Sequence, residues 1–154
     1  MADIVDQKTR SRMMSGIGPK NTKPERVLRR ALHRLGFRFS LHGRRLPGSP
    51  DIVLPRHRAV VLVHGCFWHR HNGCRYTTTP GTNPEFWQTK FAQNVARDAR
   101  NVADLTAAGW RVATVWECHL RTVADVESAA ERVGRWLVSA RRRLELPRPA
   151  PAEC

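Results

Sequence analysis

The sequence predicts an α/β fold, a mixed sheet flanked by helices, on three observations. Short aliphatic runs occur at Asp51-Ile52-Val53-Leu54, from Ala59 to Val63 and from Trp110 to Trp116, each of strand length. Around them lie stretches whose apolar residues recur at helical spacing. The resulting order is helix, three strands, helix, strand, helix, without internal repeats. A length of 154 residues suits one domain with one core.

Taken in order, Asp6 to Met14 reads as a short, basic, mobile helix that Ile17-Gly18-Pro19 breaks. Thr22-Lys23-Pro24-Glu25 has the form of a capping box, with proline in the first turn. The helix it opens carries Val27, Leu28, Ala31, Leu32 and Leu35 on one stripe and stops near Gly36. Phe37 to Leu41 alternates like a half-buried strand, and Leu46-Pro47-Gly48 turns the chain toward the two apolar strands. Residues 64–83 read as an irregular loop. Asn83-Pro84-Glu85 starts a long helix, with Trp87, Phe91, Val95, Val102 and Leu105 on its buried side, and Gly109 ends it. After the strand at 110–116, a last amphipathic helix runs from about Val123 to Leu144 on Val126, Ala130, Val133 and Leu137. The expected organisation is a mobile basic helix over 1–20, a single domain over 21–144, and a disordered Pro/Arg tail over 145–154.

The formal net charge is +14, and such a balance points to a polyanionic partner. It is uneven. Residues 1–58 hold 14 Lys+Arg against 4 Asp+Glu, which leaves +10 there and +4 in the other 96 residues. The N-terminal third is the expected phosphate-contacting surface. No apolar run approaches bilayer-spanning length, and MADIVDQKTR lacks the apolar stretch of a secretory signal. A cytosolic setting with reduced thiols is therefore expected, and disulfides are not.

The chemistry concentrates in VVLVHGCFWHRHNGC, residues 60–74. Cys66, His71 and Cys74 lie close together, and Cys118 follows the strand that ends at Trp116. If the two strands are neighbours, their ends bring these residues to one edge. Three thiolates and one imidazole form a closed tetrahedral set for structural Zn²⁺, and a metal would order a long loop otherwise hard to hold. By spacing alone, His69 or His64 could replace His71 as the nitrogen ligand. Cys154 has no evident partner.

Three acids sit where a core is expected. Asp51 opens an apolar strand, Glu25 shares the helix face of Leu28 and Leu32, and Asp98 follows Phe91 and Val95 at helical spacing. Unpaired buried carboxylates cost several kcal/mol, so three of them suggest a shared cation. Oxygen ligands suit Mg²⁺ beside substrate phosphates. An acidic metal pocket in a basic protein is what a phosphodiesterase needs, with a nearby histidine to move a proton. Phe67-Trp68, hemmed in by ligands and histidines, suits insertion between base pairs. Phe86-Trp87 fits core packing almost equally well.

PGSPDIV, VVLVHGCFWHRH…C, NPEFW, NVARD and GWRVATVWEC together resemble the very short patch repair (Vsr) DNA mismatch endonucleases over roughly residues 1–140. The resemblance implies a restriction-endonuclease-like fold. It also implies a Mg²⁺-dependent nick 5′ of the thymine in a T:G mismatch left by 5-methylcytosine deamination. Carried over, Asp51 and the Val63 backbone carbonyl bind Mg²⁺, and His69 handles the proton. Glu25 and Asp98 hold metal-bound waters, and His64 contacts the scissile phosphate. Cys66, His71, Cys74 and Cys118 take zinc. Phe67, Trp68 and Trp87 intercalate, with the N-terminal helix in the opposite groove. Many nucleases of this fold carry an acid and a lysine where this chain has Val61 and Val63, and a carbonyl ligand tolerates that change. The spacing His71-Asn72-Gly73-Cys74 is one residue longer than in some relatives. The implied partner is double-stranded mismatched DNA, met by a monomer in the bacterial cytoplasm, with mismatch-repair proteins as candidate further partners. Two alternatives stay open: a related restriction or junction nuclease without mismatch preference, and a non-catalytic zinc DNA-binding module.

Overall fold

The computed structural model describes residues 21–147. The helix expected from Asp6 to Met14, and Cys154, lie outside the described residues. The elements are α1 (Lys23–Arg34), β1 (Ser40–Leu41), β2 (Ile52–Leu54), a 3-10 turn (Pro55–His57), β3 (Ala59–His64), α2 (Cys66–His69), α3 (Pro84–Ala107), β4 (Arg111–Trp116), a second 3-10 turn (Glu117–His119), α4 (Val123–Leu137) and β5 (Arg143–Leu146).

The five strands form one sheet in chain order. β1, β2 and β3 run antiparallel, whereas β3–β4 and β4–β5 are parallel. Connection length explains the switch: β2 and β3 are joined by one tight turn, but parallel neighbours need a crossover, which α3 and α4 supply. Alternation along β3 feeds two cores. Ala59 and Val61 join Ile52, Leu54, Ala113, Val115 and Leu146 beneath α1 and α4. Val60 and Leu62 join Val53, Val112 and Leu105 beneath α3. Helices thus cover both faces, and the central strands read as unbroken apolar runs for that reason.

Several expectations are corrected. The last helix ends at Leu137, and residues 143–146 form a strand. Arg111 explains the early stop: its guanidinium donates to the carbonyls of Trp136, Leu137, Ser139 and Arg141, so the end of α4 is tied down and the chain turns back. β5 carries Glu145 and Leu146, and Leu146 is fully buried, so the folded unit extends past 144. Between Phe37 and Leu41 only Ser40–Leu41 pairs; Phe37 and Phe39 pack on the core instead. Leu35 is 51% exposed because the helix has already ended at Arg34. On α3, Val95 is 46% exposed, and Asn94 takes the buried place to donate to the Trp68 carbonyl at 3.2 Å. The 64–83 loop contains the one-turn helix α2.

The parallel register places His64 beside Trp116 at the ends of β3 and β4. The segments that follow, α2 and the Glu117–His119 turn, therefore emerge side by side.

Candidate active site

Asp51 stands at the mouth of β2, where the β2–β3 ladder opens. Its Oδ2 accepts the Val63 backbone N–H at 2.7 Å. The N–H and C=O of one strand residue point to the same side, so the Val63 carbonyl projects toward Asp51. The β2–β3 ladder ends at the pair Ile52↔Val61, and Pro50 lies two residues before Ile52. Proline has no N–H with which to extend the ladder past that point. Burial, above all, raises the Asp51 pKa to about 6; the Val63 N–H opposes this, Glu25 adds to it, and His42 and His69 draw it down.

Glu25 sits in the first turn of α1 and is 1% exposed. Its Oε2 accepts the Asn21 backbone N–H at 3.0 Å, and its Oε1 takes the His42 ring Nε2 at 2.8 Å and Arg29 at 3.3 Å. The capping-box residue thus serves its helix and also faces the Asp51 site. Both carboxylates are partnered, yet they lie close enough for Glu25 to disfavour the ionised form of Asp51.

His69 ends α2. Its Nδ1 lies 2.6 Å from Asp98 Oδ2 on α3. The His69 ring stacks on His64, with centroids 4.0 Å apart and planes 6° from parallel. His64, His69 and Asp98 lie close enough to suggest a metal cage. The stacking argues against it, since an ion bound in the plane of one imidazole cannot lie in the plane of a ring parallel to it. Proton handling suits the arrangement better: a carboxylate at Nδ1 favours the tautomer with its proton there, which makes Nε2 the proton-accepting nitrogen. Burial first, then His69, lowers the His64 pKa to about 3, so this ring is neutral at pH 7.

A second cluster lies next to it. Donor atoms of Cys66, His71, Cys74 and Cys118 all fall within 4.8 Å of one another. His71 Nδ1 is 3.7 Å from Cys66 Sγ and 3.5 Å from Cys118 Sγ. Tetrahedral Zn²⁺ with ordinary bond lengths sets S···N at about 3.6 Å, so the residues fit that ion. Burial pushes the Cys66 and Cys118 thiols up, so thiolates here demand a compensating cation. Of the three histidines open by spacing, the structure brings His71 to the thiols. Its ring stacks on Trp116, and Thr77 donates to its carbonyl at 2.6 Å. Glu117 accepts the Cys66 backbone N–H at 3.2 Å.

Phe67, Trp68, Phe86, Trp87 and Phe91 form one cluster. Phe67 packs edge-on against Trp68, Trp87 and Phe91, with centroids 5.0, 5.9 and 5.2 Å away. Phe91 is the buried base of the cluster, Phe67, Trp68 and Trp87 are half-buried, and Phe86 is 60% exposed. Arg70 lies over the Phe91 ring at 4.0 Å and donates to Thr78 and Thr79, which braces the loop behind the rings.

With this geometry in hand, similarity to known proteins is decisive. Residues 2–75 match the family model described as DNA mismatch endonuclease Vsr. The DNA mismatch endonuclease Vsr of Escherichia coli is 41% identical over 139 residues, which is 89% of this chain and 88% of that protein. The type II nicking enzyme V.XorIIP of Xanthomonas oryzae is 44% identical over 133 residues, 86% of this chain and 97% of that one. The chain belongs to the Vsr family of DNA mismatch endonucleases.

It is accordingly a DNA endonuclease, a hydrolase that acts on DNA. No described helix is long and apolar enough to cross a membrane. In this Vsr-family chain Glu25 and His69 both lie near enough to Asp51 to act on its charge, and His69 in turn contacts Asp98 and His64. The four zinc candidates gather into a separate cluster. Sequence reasoning missed His42, Arg29 and Asn94. His42 is 17 positions from Glu25 and meets it only through the β1–β2 hairpin.

Proposed function

We propose that this Vsr-family endonuclease acts as a monomer on duplex DNA. It nicks the strand 5′ of the thymine in a T:G mismatch left by 5-methylcytosine deamination, by Mg²⁺-dependent hydrolysis. The observation that carries this reading is the clasp of Asp51 on the Val63 N–H, near enough to Glu25 and to the Asp98-bonded His69 for both to act on its charge. We read the fold as restriction-endonuclease-like; an acid at the head of an antiparallel hairpin in a mixed sheet supports that assignment.

The residues present fit a hard divalent cation. Asp51 carries a carboxylate that burial and Glu25 disfavour as an anion unless a cation is near. Asp51 and Val63 would hold Mg²⁺, with Glu25 and Asp98 positioned to order waters around it. When bound, Mg²⁺ supplies charge neutralisation at the phosphate and lowers the pKa of a coordinated water. His69 takes the proton from the attacking water at Nε2, since Asp98 occupies Nδ1. His64, neutral and buried, backs the His69 ring and offers a donor toward the scissile phosphate. Cys66, His71, Cys74 and Cys118 hold a structural Zn²⁺ that fixes α2, and with it His69. Phe67, Trp68 and Trp87 wedge at the mismatched step, which costs stacking and exposes the distorted backbone.

Duplexes that differ only in T:G against T:A, incubated with and without Mg²⁺, test the reading. Nicking of the thymine strand in the T:G duplex alone, dependent on Mg²⁺ and lost in Asp51→Ala, is expected. Equal cleavage of both duplexes rejects mismatch recognition, and cleavage without divalent ions rejects the metal role.

A further inference from the structure

We propose that His42 is a positioning residue that sets the spacing of the two metal-facing carboxylates, Glu25 and Asp51; this rests on the Mg²⁺-dependent nicking reading above. Two contacts from the one residue carry the inference. The His42 ring Nε2 donates to Glu25 Oε1 at 2.8 Å, and the His42 backbone N–H donates to the Asp51 carbonyl at 3.0 Å. His42 therefore bridges α1 and the start of β2 at the point where their acids approach.

The backbone supports a dedicated role. His42 has φ +51, in the left-handed region that side chains other than glycine rarely adopt. That conformation ends the β1 ladder one residue after Leu41↔Ile52 and turns the chain at the position whose ring meets Glu25. His42 is a poor candidate for a mere structural prop. β1 is a two-residue edge strand, and Leu41 beside it is 39% exposed. Glu25 keeps other partners, but Arg29 reaches it at 3.3 Å and the Asn21 N–H meets the other oxygen. Only the His42 ring, among the described residues, links Glu25 to the hairpin that carries Asp51.

The test compares His42→Ala, His42→Gln, Glu25→Gln and the His42→Ala/Glu25→Gln double variant, each checked for zinc content and thermal unfolding. Single-turnover nicking of a T:G duplex is measured across a Mg²⁺ titration. His42→Ala should slow nicking by about ten-fold or more and raise the half-saturating Mg²⁺ concentration, with duplex affinity within about two-fold of wild type. His42→Gln, which retains an amide donor, should recover most of the loss. In the Glu25→Gln background, His42→Ala should add less than about two-fold, because residues that act through one contact are not additive. A readout independent of activity is the ring ¹⁵N spectrum: the His42 Nε2–H resonance should move in Glu25→Gln. The proposal is overturned by wild-type kinetics in His42→Ala, by a folded His42→Gln no better than His42→Ala, or by a His42 resonance indifferent to Glu25→Gln. If His42→Ala does not fold, His42→Gln kinetics and the ring spectrum decide. A wild-type protein that fails to nick in Mg²⁺ defeats the functional reading and this proposal together. Wild-type nicking with an unaffected His42→Ala defeats this proposal alone.

Discussion

His69 is held on two sides at once: Asp98 meets its Nδ1 at 2.6 Å, and His64 lies flat against its ring at 4.0 Å. The carboxylate sets the tautomer, and the stacked ring sets the plane. Asp98→Asn leaves the shape but weakens the orienting bond and the support for a positively charged imidazole. Nicking should fall by about ten- to hundred-fold with DNA affinity unchanged, whereas His69→Ala should lose about 10²- to 10⁴-fold. Rapid-quench kinetics at saturating enzyme measure this. An Asp98→Asn rate within two-fold of wild type would show that His69 needs no such partner.

Asp51 gives a pH-dependent stability prediction. Its folded pKa is raised from 3.8 to about 6. Its contribution to stability is whole below the unfolded value and is lost as pH climbs through the folded one. At pH 7.5 without Mg²⁺ the ionised side chain therefore weakens the fold, by at most about 3 kcal/mol for a shift of this size. Asp51→Asn should be more stable than wild type by about 1–2 kcal/mol at pH 7.5, and the gap should shrink by pH 5, where wild-type Asp51 is mostly protonated. Added Mg²⁺ should stabilise the wild type and not the variant. Urea unfolding at the two pH values decides; a gap that widens toward pH 5 contradicts the assignment.

The two side-chain clusters were legible for different reasons. Cys66, His71, Cys74 and Cys118 stand out because thiols and imidazoles are rare and the strands before them read plainly. Glu25 and Asp98 stand out because an acid on an apolar helix face needs an explanation. His42 has no such signature. Ser40-Leu41-His42-Gly43 reads as an ordinary strand end, and only the hairpin brings it to Glu25. The edge strand β5 was hidden in an Arg-rich stretch that continues the helical pattern; the cause of its break, Arg111, lies 26 residues before Leu137. Val95, expected on the buried side, faces outward, and Asn94 takes the inward position with a buried hydrogen bond to the Trp68 carbonyl.

The proposed zinc cluster spans two segments, so its ligands should act as a unit. Cys118 arrives from β4 and the rest from the β3 loop. Cys118→Ser should lower zinc content, lower the melting temperature by several degrees and slow nicking, because α2 carries both Cys66 and His69. Chelation of wild type should do the same. Metal analysis with a thermal melt checks both. A Cys118→Ser protein with full zinc and an unchanged melt would exclude Cys118 as a ligand.

Graded burial in the aromatic cluster separates packing from DNA insertion. Phe91 is 6% exposed and joins the rings to the long helix, so Phe91→Ala should cost about 3 kcal/mol or more in stability. Trp68 is half-buried on the one-turn helix α2, packed mainly against Phe67 and Trp87. If the rings enter the duplex, Trp68→Ala should leave much of the stability but weaken T:G duplex binding by about ten-fold, since a stacked base–aromatic contact is worth about 1–3 kcal/mol. It should also narrow the preference for T:G over T:A, because a wedge gains most at a step already weakened by mispairing. Paired melts and fluorescence-anisotropy titrations on the two duplexes make the comparison. A Trp68→Ala variant that melts as low as Phe91→Ala yet keeps wild-type T:G preference would assign these rings to the core alone.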